Sequence, residues 1–413
     1  MALEFTKLFK GTDVISQVGN YGFYKLSTQS AGEGGGDVEV TPVTYGVKIA
    51  LTNSNPETAV TYTDDAVDFT KSYMDFTNDK FEYGSWADKF PFNQIKPCIL
   101  KNGVVTTYLN PNNYAEDVDG NPVDITTTCD GDVMIEIPKI YYYLHKDSSY
   151  QYIQISNTKV DDNYCCFAHT YKGAEKNKVY IGAYQSYYDG TKSRSVSGVQ
   201  STGSVSLNNW RNYAHNNGEG YETFYWNLLV LLQCLYIIQF KNRNSQRALG
   251  FGWSSINEYA TNGDLNSKGL YYGTYSTGQT KFMGIEGIYG NRWQLIDGVY
   301  RSGTRLTIAD ITSPDMAFSG TGVGYLTVPG SFYNTTGYMS RISGDNYTGF
   351  FPIDGSGANT SYYCDECIVD GSYIVRFGGQ QNAGASNGIF DLSVDMSAGK
   401  NSQSNTSRLA YCG

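Results

Sequence analysis

The residue types able to do chemistry stand in few and incomplete groupings in this chain. Cys364-Asp-Glu-Cys367 has zinc-knuckle spacing, but no second Cys or His pair follows at ligand spacing, and a structural zinc needs four ligands. A redox pair of this spacing opens a helix after a strand, whereas Gly and Tyr surround this one. The two cysteines therefore read as a local disulfide or as buried thiols, and Cys165-Cys166 as structural. Asp117-Val-Asp119-Gly-Asn121-Pro-Val-Asp124 places carboxylates at alternate positions as a calcium loop does. It lacks the closing bidentate Glu and is interrupted by Pro122, so it reads as an acidic hairpin turn. Gly320-Thr-Gly322-Val-Gly324 has no Gly-Lys-Ser/Thr after it and is not a phosphate loop. Only three histidines occur, His145, His169 and His215, a poor basis for a metal or acid–base centre. No G-x-S-x-G or H-E-x-x-H is present, and the pairs Asp64-Asp65 and Asp161-Asp162 carry no separation argument for glycoside hydrolysis. The expectation is a protein that is not an enzyme and holds no cofactor and no metal.

The composition explains what such a chain does instead. Among 413 residues, 40 Asp+Glu against 30 Lys+Arg leave a net charge of −10, which gives neither the basic patch that nucleic acids need nor an attraction to anionic membranes. Charged residues make up 17% while Tyr alone numbers 37 and Gly 46. That mixture suits a loop-rich β protein covered by Tyr, Asn and Ser, side chains favoured at adaptable binding surfaces. The start, MALEFTKLFKGTD, has no apolar core of a secretory signal. Eight scattered cysteines fit a reducing compartment better than a disulfide framework, and the four N-x-[ST] sequons, from Asn334, Asn346, Asn359 and Asn405, read as chance matches.

Along the chain, residues 1–26 carry a few apolar positions and are followed by STQSAGEGGGD, a flexible linker by composition. Residues 1–40 thus read as an attachment segment and residues 41–145 as a β-rich lead-in, with alternating runs such as YGVKIAL and YQYIQI between Asn-Gly, Asn-Pro and Asp-Gly turns. Two helices are expected. One spans 207–216, with Ser206 as N-cap and Gly218 as stop. The other spans 221–242 around FYWNLLVLLQCLYIIQF; its 17 residues at about 1.5 Å each reach about 26 Å, short of a bilayer, and three amides point around its axis. It reads as a helix buried on most sides. The order β, two helices, then β gives an α+β class.

Three segments carry a family resemblance: SLNNWRNYAHNNGEGYETFYWNLLVLLQCLYIIQFKNRNSQ (206–246), MGIEGIYGNRWQLIDGV (283–299) and VRFGGQQNAGASNGIFDLSVDMSAGKNSQSNTSRLAY (375–411). In this order they resemble the C-type-lectin-like fold of the formylglycine-generating-enzyme type, and more narrowly the ligand-binding proteins of phage tails and diversity-generating retroelements. Gly284, Ile285, Glu286, Gly290, Asn291, Trp293, Asp297 and Gly298 match that family's middle motif, with Gly287 in place of its usual Asn. Gly378-Gly379, Gly388, Phe390 and Arg408-Leu409 match its end, with Gln380-Gln381 where Ser-Trp is common. The calcium and sugar motifs of other C-type lectins and the catalytic cysteine pair of the oxidase are absent. Independently of the family, Glu286 and Asp297 suit hydrogen bonding to loop backbone, and Trp253, Tyr289 and Trp293 a loop-rich core.

The resemblance implies a C-type-lectin-like domain over 146–413 with two helices and a twisted antiparallel sheet. It implies a phage or prophage tail-fibre or receptor-binding protein of the virion tail, homotrimeric, with its N-terminus on other particle proteins and its C-terminal face on a bacterial surface protein or glycan. Other readings are a retroelement-diversified bacterial surface protein and an oxidase or hydrolase on the same fold. Carried position by position, the ligand-binding set is Gln381, Asn382, Ala383, Ser386, Asn387, Asp391, Ser393, Asp395, Lys400 and Asn401. Strand alternation points the same way, with Phe390, Leu392 and Val394 expected inside and Asp391, Ser393 and Asp395 expected in solvent.

Overall fold

A computed structural model describes residues 8–10, 13–17, 23–26, 41–319, 324–371 and 373–413. The Gly/Ser linker and most of the Gly320–Gly324 stretch lie outside the described residues. Strands Leu8–Lys10, Asp13–Gln17 and Phe23–Leu26 form a small antiparallel meander within one unit, Met1–Thr41, and Pro42–Gly413 form the other. The boundary expected between 145 and 146 falls inside strand Tyr141–Lys146 of that second unit.

The second unit is sheet-rich α+β, with three main sheets. A four-stranded antiparallel sheet runs Tyr141–Lys146, Tyr150–Ser156, Thr44–Ala50, Val60–Asp64. A seven-stranded antiparallel sheet has Asp132–Pro138 at its centre and ends on Lys178–Gly182, Leu409–Tyr411 and Tyr221–Thr223. An eight-stranded sheet holds Trp293–Ser302, Ile374–Phe377, Leu392–Met396 and Glu366–Val369 side by side. It is mostly antiparallel, but Leu392–Met396 runs parallel to Glu366–Val369, and Asn405–Thr406 parallel to Trp293 and Gln294.

Two of the helices match the sequence pattern. Helix α1, Leu207–His215, starts where the Ser206 hydroxyl accepts the Asn209 N–H, one of the orphan donors a helix start leaves open. Helix α2 is Trp226–Phe240 and every one of its residues is buried. It packs on strands of the four-stranded sheet and on Trp293–Ser302, which explains an apolar surface on all sides. Gln233 donates its amide to the Ile389 carbonyl at 2.8 Å, so a polar residue reaches a partner inside the core. The expected start at 221 is too early. Tyr221–Thr223 is instead an edge strand against Leu409–Tyr411, because Tyr, Glu and Thr gain a ladder partner there that local pattern does not reveal. A short third helix, α3 (Ser245–Ala248), capped by the Asn244 side chain, follows and is not among the two expected. Among the described residues no helix is long and apolar enough to cross a membrane.

All eight cysteines are free thiols, so Cys364 and Cys367 form no local bridge. Cys165 and Cys166 lie outside the named strands, Cys165 in a single bridge to Tyr142. The Asp117–Asp124 run is a turn in which Asp117 accepts the N–H groups of Asp119 and Asn121 and the Asn121 amide.

Candidate functional site: the C-terminal rim

The last forty residues are anchored by buried polar groups. Arg408, wholly buried, donates to the carbonyls of Gly182 (2.9 Å), Glu286 (2.9 Å) and Gly287 (3.0 Å) and to the Gln294 side chain (2.8 Å). One planar guanidinium thereby ties the end of the chain to both large sheets, a task its fork of donors suits. Glu286 accepts the Gly263 and Leu265 N–H groups at 2.7 and 3.0 Å, holding a loop without ladder partners. Lys281, also buried, donates to the Leu265 carbonyl at 2.9 Å and stands 3.7 Å over the Tyr114 ring. Burial pushes the Glu286 carboxyl up and the Lys281 ammonium down. Asp297 takes Arg211 of α1 in a two-pronged pair, 2.7 and 2.9 Å, so both acids of the middle motif act as struts.

At the other end of the segment, Asn387 closes the 380–387 loop on itself. Its Oδ1 accepts the Gln380 N–H (3.1 Å) and its amide donates to the Gln380 carbonyl (2.7 Å). Gly379, at φ +77°, leaves room for that amide, and a Cβ on Gly388 would sit on the Asp365 carboxylate. Asp365 in turn accepts the Phe390 N–H at 2.8 Å while its other oxygen has no partner. Burial raises the pKa of both Asp365 and Asp391 well above the usual carboxylate range, Asp365 adding to Asp391. Two neighbouring carboxyls out of water each disfavour the other's charged form.

These contacts sort the sequence-derived set. Phe390, Leu392 and Val394 are buried as expected. Asp391 and Ser393 are buried too, at 2% and 0% exposure, so the expectation of a solvent-facing strand is corrected. Leu392–Met396 is an inner strand, and its polar side lies under Arg376. That guanidinium bonds Asp395 (2.8 Å), Ser393 (3.3 Å) and Asn405 (3.2 Å) and sits 4.6 Å from the Trp293 ring centroid. Asn387 is likewise fully buried. Gln381, Ala383, Ser386 and Asp395 are half-buried, and Asn382, Lys400 and Asn401 are exposed. The set thus divides into a buried frame of three and an accessible rim of seven.

The rim has a neighbour that the residue pattern did not assign to it. Loop 253–259 is stitched to loop 380–386 by Ile256 N–H to the Gln381 carbonyl (3.0 Å) and Gly384 N–H to the Ser254 carbonyl (2.7 Å). Ser255, Asn257 and Glu258 are exposed there, with Trp253, Ile256 and Tyr259 half-buried. Beneath them Arg292, 2% exposed, lies 3.2 Å from the Tyr259 ring centroid with Nε and Nη1 unpartnered. The stretch GWSSINEY, aromatics interleaved with Ser and Asn, was the available signal. A surface so made offers ring faces, amides and hydroxyls, the means of adaptable polar recognition. Nothing in it pairs a nucleophile with a base. No protein-family model matches this chain, and no curated protein matches it.

Proposed function

We propose that this is a non-enzymatic receptor-binding protein of a phage or prophage-derived particle, contacting a bacterial surface ligand through the C-terminal rim. The observation that carries the reading is the division just described. Short exposed loops rich in Asn, Ser and Gln stand on a frame locked by Arg408, Asn387 and Arg376, so their side chains can vary with little effect on folding. The three ordered motifs that resemble the C-type-lectin-like ligand-binding proteins of phage tails and retroelements support the same reading. The proposal includes that lectin-like fold for the domain, attachment of residues 1–40 to tail proteins, a homotrimer, and a place in the virion tail. Fluorescently labelled protein mixed with a panel of bacterial strains tests it by flow cytometry. Saturable binding to a subset of strains supports the reading; equal or no binding across a broad panel contradicts it. Light scattering should give three times the chain mass, and a monomer would remove the trimer from the proposal.

A further inference from the structure

Arg292 stands where the segments of the rim meet. The residue before it, Asn291, donates its N–H to the Trp253 carbonyl (2.9 Å) and accepts the Gln381 N–H (2.9 Å). The residue after it, Trp293, donates to the Ser404 carbonyl (2.8 Å). The backbone on either side of Arg292 is thus tied to loops 253–259 and 380–386 and to the chain that follows Lys400 and Asn401. The space beside its Nη1 is one that a Cβ on Gly203 would fill, at 2.6 Å.

This guanidinium is buried without compensation. Its Nε and Nη1 have no partner, and among the described residues no carboxylate is near enough to offset its charge. The other buried arginines all donate to oxygens of the fold: Arg194 to Asp132, Arg211 to Asp297, Arg243 to the Asn53 carbonyl, Arg301 to the Phe332 carbonyl, Arg376 to Asp395 and Arg408 to the Gly182 carbonyl. What Arg292 meets instead is the half-buried Tyr259 ring, lying on its face. A ring face offsets only part of the cost of taking a charge out of water, and a guanidinium does not shed its proton. Glu258, the one acid of loop 253–259, is exposed, and its carbonyl is spent on the Trp253 indole N–H (2.7 Å). Two further buried polar atoms of the same seam lack partners, the Ser254 hydroxyl and Gln381 Oε1. The main chain of Tyr259 is fixed by its carbonyl, which accepts the Gln200 amide at 2.8 Å, and this leaves the ring as the movable cover.

We infer that Arg292 seats an anionic group, a carboxylate or a phosphate, of the ligand that the rim binds, the Tyr259 ring turning aside to admit it. The donor fork of a guanidinium suits either oxyanion. The inference rests on the rim being the binding surface; that reading is tested on cells and the seat without them, so either can fail alone. The full chain, isotopically labelled at nitrogen, is titrated with sodium acetate, sodium phosphate, neutral acetamide and sodium chloride at matched ionic strength, following the Arg292 Nε–H and Gln381 backbone N–H signals by NMR. A saturable shift with acetate or phosphate, and none with acetamide or chloride, supports the inference, and which anion binds tells carboxylate from phosphate. In Arg292→Gln the affinity read at Gln381 should fall about tenfold, the loss of one charge-assisted hydrogen bond. Tyr259→Ala should raise the affinity severalfold by removing the cover, and it decides the matter if Arg292→Gln does not fold. No response to either anion, an equal response to acetamide or chloride, unchanged affinity in a folded Arg292→Gln, or no gain in Tyr259→Ala would overturn it.

Discussion

Strands Tyr141–Lys146 and Leu392–Met396 carry the same kind of alternation and meet different fates. In the first, Tyr142 and Leu144 enter the core while Tyr143 and His145 stay half-buried on an open sheet face. In the second, Leu392 and Val394 enter the core, yet Ser393 is just as buried. The difference is made far away in sequence. Arg376, Trp293 and Asn405 lie across the polar side of the second strand, whereas Tyr143 is flanked by the His145 and Tyr164 rings and stays half-buried. Period-two alternation tells which residues share a face; what covers that face is decided by chain elsewhere.

The largest test of this contrast is Phe390→Ala. Phe390 is wholly buried among Phe350, Tyr363 and Tyr236, at 5.2, 5.1 and 5.7 Å between ring centroids, and its truncation should cost about 3–5 kcal/mol in denaturant unfolding. Next comes Arg376→Met, which uncovers the polar strand face; losing charge-assisted bonds there should cost about 1.5–3 kcal/mol. A cost indistinguishable from zero would mean that Arg376 does not hold that layer.

Asp365→Asn probes the same layer through pH. Burial raises the Asp365 pKa, so above the unfolded value of about 4 the native state keeps a proton that the unfolded chain releases. Stability should therefore fall as pH rises from there toward the folded pKa. The asparagine side chain has no such proton to lose, so the variant's melting temperature should gain on the parent's as pH rises above about 4; parallel curves would contradict a raised Asp365 pKa. On the half-buried face, Tyr143→Ser should remove the ring contacts with His145 and Tyr164, each about 0.5–1.5 kcal/mol.

Much of the frame was legible beforehand. Ser206, α1, the core of α2 and the inward side of the 390s follow from capping and periodicity, and Glu286 does bind loop backbone as its setting suggested. Three things were not legible. Tyr221–Thr223 became a strand because the Leu409–Tyr411 segment supplies its partner. Asn387, Asp391 and Ser393 turned inward because Gln380, Asp365 and Arg376 provide hydrogen bonds or cover from elsewhere. Loop 340–347 docks on a hairpin nearly 200 residues earlier, as the 193-residue separation of the Gln151–Gly344 bond records. Each is a long-range pairing, invisible to windows of neighbouring residues.

We propose that the exposed rim, and not the polar strand face beneath it, meets the bacterial ligand. Two variants on a strain that the parent binds decide it: Asn382, Lys400 and Asn401 all to Ala, and Ser393→Ala alone. Surface changes of this kind fall within about 0.5 kcal/mol each, so the rim variant should melt within a few degrees of the parent while its cell binding falls about tenfold or more; the Ser393→Ala variant should keep its binding and lose stability. Full binding by the rim variant, or lost binding at unchanged stability in Ser393→Ala, would contradict the account.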